Sequence, residues 1–500
     1  VSHSAGTTAV VFQYPPGATA ALAAKAQMKL WESSEGRRLY PYFAILETHI
    51  RRSDGSRKQL PPVRRASLSA RLLGWQPQLC SAATRRKLRR DVLIVGECRY
   101  RETEYRLMAR TVRAVAEAGY STLYLSCGNE EEHGHIRETV RSAGLEDRVT
   151  LMELPPLPGS LAAAVTGAQG RLAAHEDWYR LTAILPEGLE LSEEGYDEMA
   201  GIAAVRLAWQ RFRETLEFEA AIVRCHFTPL GASVAESELD RPTTVATTQH
   251  GVICSPTWFP ILADRYICFG PASAAFARKL DAEIAQDTSR KAVCIDYLPS
   301  GSLYDPLPSL RPQTQPRTLL VIDQNTRRGS QLLGMHEQNR DFCGAIERAL
   351  QRCRNLDRVI IRPHPDNKTR EGWKDLPERY PGRVEFSPPG STLEENLAAS
   401  SAVAGMFSGA VVTAAACGLP ALFVWREGWY YTGDIECFRD PLFTHPDDLP
   451  EKLDEVLSSS AVIEEWSAAS REASRRYYQD GGECRFDRQW AERVLAPVSR

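Results

Sequence analysis

The segment VIIRPHPDN at 359–367 places Arg362 and His364 directly after a β-branched run. Val359, Ile360 and Ile361 suit a buried strand, and Pro363 and Pro365 prevent both its continuation and an immediate helix. His364 is thereby expected in a stiff loop at a strand's end, the place where ligands bind in an open α/β sheet. An imidazole there could donate to a phosphate oxygen, and a guanidinium could grip one in a forked contact. The bland reading is a rigid turn that contains a histidine.

A second segment, SGAVVTAAACGLPALF at 408–423, has the composition of a phosphate cradle. Ser408 and Gly409 stand between a strand and a short helix, so the helix's free amides and partial positive charge would face an anion. Ala414, Ala415 and Ala416 permit close approach, Gly418 ends the helix and Pro420 fixes the next strand. The plain alternative is a tightly packed α/β unit with no ligand. Between the two motifs, Glu394 or Glu395 could accept from ribose hydroxyls or a base, or serve as helix-start acids beside Ser391 or Thr392.

Earlier in the chain, TTQHG at 247–251 ends a strand with Gln249 and His250. Gly301 and Ser302 in PSGSLYDP could offer backbone amides to a diphosphate or a sugar acid. His226, in RCHFTP, is a third strand-end histidine. Activating an acceptor hydroxyl needs a carboxylate or histidine in this half. Glu97, at the end of DVLIVGE, is the first choice, whereas Glu102 and Glu104 read as first-turn helix acids.

The elements that must position these residues alternate. From Asp91 the order is a buried strand, an amphipathic helix ended by Gly119, and a second strand in STLYLSCG, which is a βαβ unit with a parallel sheet. Strands are expected at 148–154, 219–227, 243–251 and 264–270, with a helix around 195–217 and another in SAAFARKLDAEI. The Pro-rich SLRPQTQPR at 309–317 reads as a connection, after which the alternation restarts with strands in TLLVIDQN, DRVIIRPH, GRVEFSP, AVAGMF and PALFVW. The division is residues 1–90 as an N-terminal elaboration, 91–308 and 318–448 as two Rossmann-like α/β domains facing across a cleft, and 449–500 as helices that could pack back on the first domain. Five hundred residues agree with two domains.

Composition excludes several classes. A net charge of -3 gives no global pull toward nucleic acid. The 12 cysteines include no CxxC pair and no zinc spacing, which suits free thiols in a reducing cytosol. Metal binding by the cysteines is the lesser alternative; no DxD pair is evident, and Asp264 and Asp305 are isolated. The uncharged run at 402–425 could span a bilayer by length, but Ser408, Gly409, Gly418 and Pro420 break it into strand, helix and strand. Residues 64–90 are basic with interleaved apolar side chains. They could lie on an anionic membrane surface, form a solvated linker face, or face nucleotide phosphates.

Together, RPHP at 362–365, the serine-glycine-helix-glycine-proline run at 408–420, QHG at 249–251 and GS at 301–302 resemble the GT-B glycosyltransferases of bacterial surface-polysaccharide assembly. The likeness is closest to capsule-type Kdo and sialic acid transferases and their relatives, the CDP-glycerol glycerophosphotransferases. The resemblance implies that His364 and Ser408 hold the phosphate of a nucleotide-activated sugar, CMP-linked or otherwise. It implies inverting, metal-independent transfer to a hydroxyl of a glycan or lipid-linked glycan, in the cytoplasm or at the inner membrane face. The nucleotide sugar is then a co-substrate, with no separate cofactor and no nucleic-acid partner. Gly409 stands where many relatives have a second hydroxyl, and Ala414 to Ala416 supply no acid for a ribose. Other outcomes of the same motifs are a glycerophosphotransferase, a nucleotide-sugar epimerase, or a non-catalytic binding scaffold.

Overall fold

The computed structural model describes residues 12–13, 29, 50–52, 88–97, 101–126, 130–153, 212–254, 258–287, 293–304, 306–324, 335–364, 367, 370 and 372–499, with isolated positions between 181 and 210. The chain forms two parallel sheets, each wrapped by helices. In the first, the strands are β1 (Val92–Val95), β2 (Thr122–Ser126), β3 (Val149–Glu153), β4 (Ala220–Val223), β5 (Thr244–Thr248), β6 (Arg265–Cys268) and β7 (Asp296–Pro299). Their spatial order is 3-2-1-4-5-6-7, and every pairing is parallel.

The second sheet repeats the plan with β8 (Thr318–Ile322), β9 (Arg358–Arg362), β10 (Val384–Phe386), β11 (Ala402–Gly405), β12 (Ala421–Val424) and β13 (Phe443–Thr444). Its order is 10-9-8-11-12-13, again all parallel. Both are the doubly wound arrangement, in which strand order reverses beside the first strand and leaves a crevice at the carboxyl ends. The reversal lies between β1 and β4 in one sheet and between β8 and β11 in the other.

Strands covered on both faces must be apolar throughout, not alternating. VLIV of β1, AAIV of β4, TLLVI of β8 and ALFV of β12 are buried at every position. The covering helices that matter for the site are α1 (Arg101–Glu117), α2 (Glu130–Ser142), α3 (Pro229–Glu238), α4 (Pro271–Asp287), α5 (Met335–Arg352), α7 (Leu393–Ala398) and α8 (Gly409–Cys417). A single turn, α6, spans Leu376–Arg379. The uncharged run at 402–425 is thus β11, α8 and β12, and among the described residues no helix is long and apolar enough to cross a membrane.

Three C-terminal helices complete the structure: α9 (Leu449–Val456), α10 (Ser460–Tyr477) and α11 (Arg488–Leu495). Helix α9 packs on α5, α10 on both α8 and α4, and α11 on α1. Helix α10 therefore straddles the two halves, and α11 returns to the first, where Arg265 Nη1 donates to the carbonyl of Val494 at 2.9 Å. The outward and return passages of the chain lie side by side. Ser302 N donates to Gly482 O and Cys484 N to Ser302 O, both at 2.9 Å. Of the basic segment 64–90, only 88–90 falls within the described residues; Leu88 and Arg89 pair in parallel with Leu216 and Glu217.

Candidate functional site

In the second half, the polar end of β8 organises the site. Asp323 is buried beside the point where strand order reverses. Its carboxylate accepts from His364 N at 3.1 Å, Asn367 Nδ2 at 2.7 Å and Trp373 Nε1 at 2.8 Å. Three donors on one buried carboxylate fix the loop after β9 to the end of β8. His364 itself is half-buried in that loop, which is what the two flanking prolines require. Arg362 is half-buried, and its Nη1 donates to the carbonyls of Ser391 and Thr392 at 3.0 and 3.3 Å. It ties the β9 loop to the start of α7 and positions the loop, where the sequence suggested a forked phosphate contact.

On the other side of β8, Ser408 is the N-cap of α8, with its Oγ accepting from Ala410 N at 3.3 Å. A side chain built at Gly409 would meet no atom within 4 Å, so the amino end of α8 opens outward. Gly418 closes the helix in the left-handed conformation. The β9 loop and the start of α8 thus flank the end of β8. Glu394 is exposed in the first turn of α7, and Glu395 forms a reciprocal capping box with Thr392. Both acids stand where the helix-start reading puts them.

In the first half, Arg224 follows β4 and is fully enclosed. It donates through Nη1 to Glu104 Oε1 at 2.5 Å and through Nε to the carbonyl of Glu97 at 3.2 Å. Nη1 also lies 3.2 Å from His250 Nδ1. A guanidinium has no acceptor, so this contact is a hydrogen bond when Nδ1 accepts, and neutral His250 then carries its proton on Nε2. The ring of His250 is walled by Phe227, Trp258 and Tyr304, with centroids 6.1, 6.1 and 6.4 Å away. Phe227 and Trp258 stack on each other at 4.8 Å.

Glu97 has a different role from the expected general base. Its carboxylate accepts from Leu230 N at 3.2 Å and Gly231 N at 3.0 Å, the first free amides of α3. A carboxylate on a helix amino end is held by both the hydrogen bonds and the dipole, and these bonds lock Glu97 at a φ of 49°. Gln249 is corrected in the same way. Its amide is buried, with Oε1 accepting from Phe269 N and Nε2 donating to Gly251 O and Ser273 Oγ, so these bonds brace the β5 loop. Gly301 and Ser302 are covered by residues 482–484, and a Cβ on Gly301 would fall 2.6 Å from the Gly482 carbonyl. Glycine at a φ of 95° permits that close approach, which leaves no room for a diphosphate.

His226 is buried, and burial lowers its pKa to about 4 against the opposing hydrogen bond to Trp258 O at 2.6 Å. Its Nδ1 has no hydrogen-bond partner among the described residues. Burial thus favours its neutral form.

The halves meet through loops from the carboxyl ends of both sheets. Asp434, in a 3-10 turn after β12, accepts from Ile253 N at 2.9 Å, Ser273 Oγ at 2.8 Å and Tyr477 OH at 2.7 Å. Thr432 Oγ1 donates to Ile253 O at 2.6 Å, and Tyr430 OH donates to the carbonyl of Cys254. Burial raises the pKa of Asp434 to about 6, against the pull of those three donors. Asp323, Asn367, Trp373, Arg224 and Asp434 were not singled out by sequence. The one available signal was the polar exit of LVIDQN and IVRCHF from apolar strands.

No family model matches the sequence. No curated protein matches it either. Solved structures with a similar course of the backbone include a glycosyltransferase from Rickettsia africae, with 10% identity over 83% of this chain and 100% of that one and a TM-score of 0.45. S. aureus MnaA with UDP is 10% identical over 81% of this chain and 94% of its own, with a TM-score of 0.44. A UGT from Siraitia grosvenorii in complex with UDP is 10% identical over 81% and 99%, with a TM-score of 0.43. Likeness at this level assigns no activity.

Proposed function

We infer that the protein is a glycosyltransferase that takes its sugar from a nucleotide-activated donor. The observation that carries this reading is the pairing, around the end of β8, of the Asp323-braced His364 loop with the open amino end of α8. Fixed amides and a helix dipole at a strand-order reversal, beside a braced loop that carries an imidazole, support a site for a phosphate-linked leaving group. Ser408 and Gly409 would receive the phosphate and His364 would donate to it. His250, inside its aromatic wall, would face the acceptor or the transferred sugar. Charge on the departing nucleotide is met by these dipoles, so turnover should persist in EDTA. The donor is a CMP-linked sugar such as CMP-Kdo or another nucleotide sugar, and the nucleotide that stabilises the protein names which.

A second reading has one observation in its favour. Glu97, just after β1, and Glu104, in the first turn of α1, are both engaged by internal donors. A protein that binds the donor without transferring the sugar would need no base there.

The test is a thermal-shift screen against CMP, CDP, UDP, GDP and ADP, repeated on His364→Ala. A ligand at about 100 times its Kd stabilises by about 2.7 kcal/mol, so one nucleotide should raise the melting temperature and the variant should lose that rise. No stabilisation by any of the five would refute the donor site. Stabilisation without release of nucleotide from any donor sugar would favour the binding reading.

A further inference from the structure

A cavity of about 270 Å³ lies on the helical face of the first half, away from the β8 site. Arg106, Arg110 and Arg113 of α1 line one side, His135 and Thr139 of α2 the other, and Tyr304 and Pro306 close one end. We propose that this cavity binds an anionic monosaccharide unit, one bearing a carboxylate or a phosphate ester.

Three features separate it from a solvated basic stripe. The arginines recur at i, i+4 and i+7, which turns all three to one face of α1. That face is opposed by a second helix, with Arg106, Arg113 and His135 exposed at the mouth of the cavity, and no carboxylate lines it among the described residues. Acids nearby hold the arginines from outside. Glu483 Oε2 accepts from Arg110 Nη2 at 2.9 Å while its Oε1 accepts from Leu307 N at 2.9 Å. Glu117 accepts from Arg113 Nε at 2.7 Å. Each of these pairs uses one of the five N–H groups of its guanidinium, leaving donors for an oxyanion. Arg110 is further seated over the ring of Phe486 at 5.4 Å.

The sugar part of the proposal comes from size and from Tyr304. The volume suits one ring with an acidic substituent and falls short of a nucleotide sugar. Tyr304 presents an aromatic wall, held by donation from its hydroxyl to Gln249 O at 2.8 Å, against which the apolar face of a pyranose can lie. The same ring meets His250 edge-on, with the centroids 6.4 Å apart. If the protein transfers sugars as inferred above, an acidic acceptor unit bound here would sit next to His250, but binding itself does not depend on that reading.

The experiment is calorimetric titration of the full chain with glucose 1-phosphate, glucuronate, glucose and inorganic phosphate. It is repeated on Arg106→Gln/Arg113→Gln and on Thr139→Tyr, which fills the cavity without changing charge. Saturable binding of either acidic sugar, absent for glucose and weakened at least about tenfold in both variants, is the expected result. Absence of saturable binding, or affinity unchanged in the variants, overturns the proposal. Equal affinity for inorganic phosphate and glucose 1-phosphate overturns its sugar part. Nucleotide stabilisation is measured on the same variants. Its survival there, with acidic-sugar binding lost, shows that the two sites stand or fall separately.

Discussion

Replacing Asp434 by asparagine should make the protein gain stability relative to the wild type as pH rises. Asp434 is fully enclosed, and burial lifts its pKa from 3.8 to about 6. Between these values the folded state holds a proton that the unfolded chain has released, so stability falls with rising pH through this window. Full ionisation of the buried carboxylate therefore costs about 3 kcal/mol relative to strong acid, and about 1.4 kcal/mol of that lies between pH 5 and pH 8. Asparagine has no charge to bury. Its oxygen can keep Ile253 N and Tyr477 OH, and the Ser273 hydroxyl can turn to accept from its amide. The assay is urea unfolding of both proteins from pH 5 to pH 8, taken as the difference between them at equal m-values. Groups common to both, such as Asp281, whose pKa burial raises to about 7, cancel. Asp434→Ala is the control: it leaves three donors without their acceptor and should be less stable at every pH, by about 1–3 kcal/mol for each donor that stays buried. A difference between Asp434→Asn and wild type that stays flat across this range would refute the reasoning.

His226 gives the opposite pH dependence. Its folded pKa of about 4 lies below the ordinary 6.5, so wild type should lose about 3 kcal/mol as pH falls from 6.5 to 4, and His226→Gln, which can still donate to Trp258 O, should not. Asp323→Ala should abolish nucleotide stabilisation although His364 itself is unchanged, because the loop that carries it loses the three bonds to the Asp323 carboxylate; retained nucleotide binding with an unchanged midpoint would count against a bracing role. Gly96→Ala should destabilise by more than about 2 kcal/mol, since its Cβ would fall 1.9 Å from Glu132 Oε1 and 2.1 Å from Tyr124 OH, both buried; a melting temperature within a degree or so of wild type would refute this.

Legibility in the sequence followed the range of the interaction. Buried parallel strands are local apolar runs, so β1, β2, β4, β5, β8, β9, β11 and β12 were all visible in it. Prolines and glycine likewise marked the β9 loop and the end of α8. Helix α2 escaped, because EEEHGHIRETVRS places only Ile136 and Val140 as plain apolar positions and buries Glu132 and His133 with them. The site residues that were missed act across long separations: Asp323 meets Asn367 and Trp373, Arg224 meets Glu104, and Asp434 meets Ile253. Nothing in local spacing marks Asp323 as an acid that braces a loop. The same limit explains Glu97 and Gln249. Their positions at strand ends were legible, but whether the side chain faced a ligand or a neighbouring amide depended on α3 and α10 folding over them.

The return of α11 to the first half bears on the order in which the protein can be completed during synthesis. A chain emerging amino end first has all seven strands of the first sheet available once Pro299 is out. Helix α11, which packs on α1, the cover over Gly301, and the acceptors for Arg265 at Val494 and Ala496 are nearly two hundred residues away. The first half must wait, with the α11 side of α1 uncovered, while the whole second sheet is made. What reads as two successive domains is thus finished at one moment, when the last helix docks, and the early half spends translation with a surface that other proteins could shield.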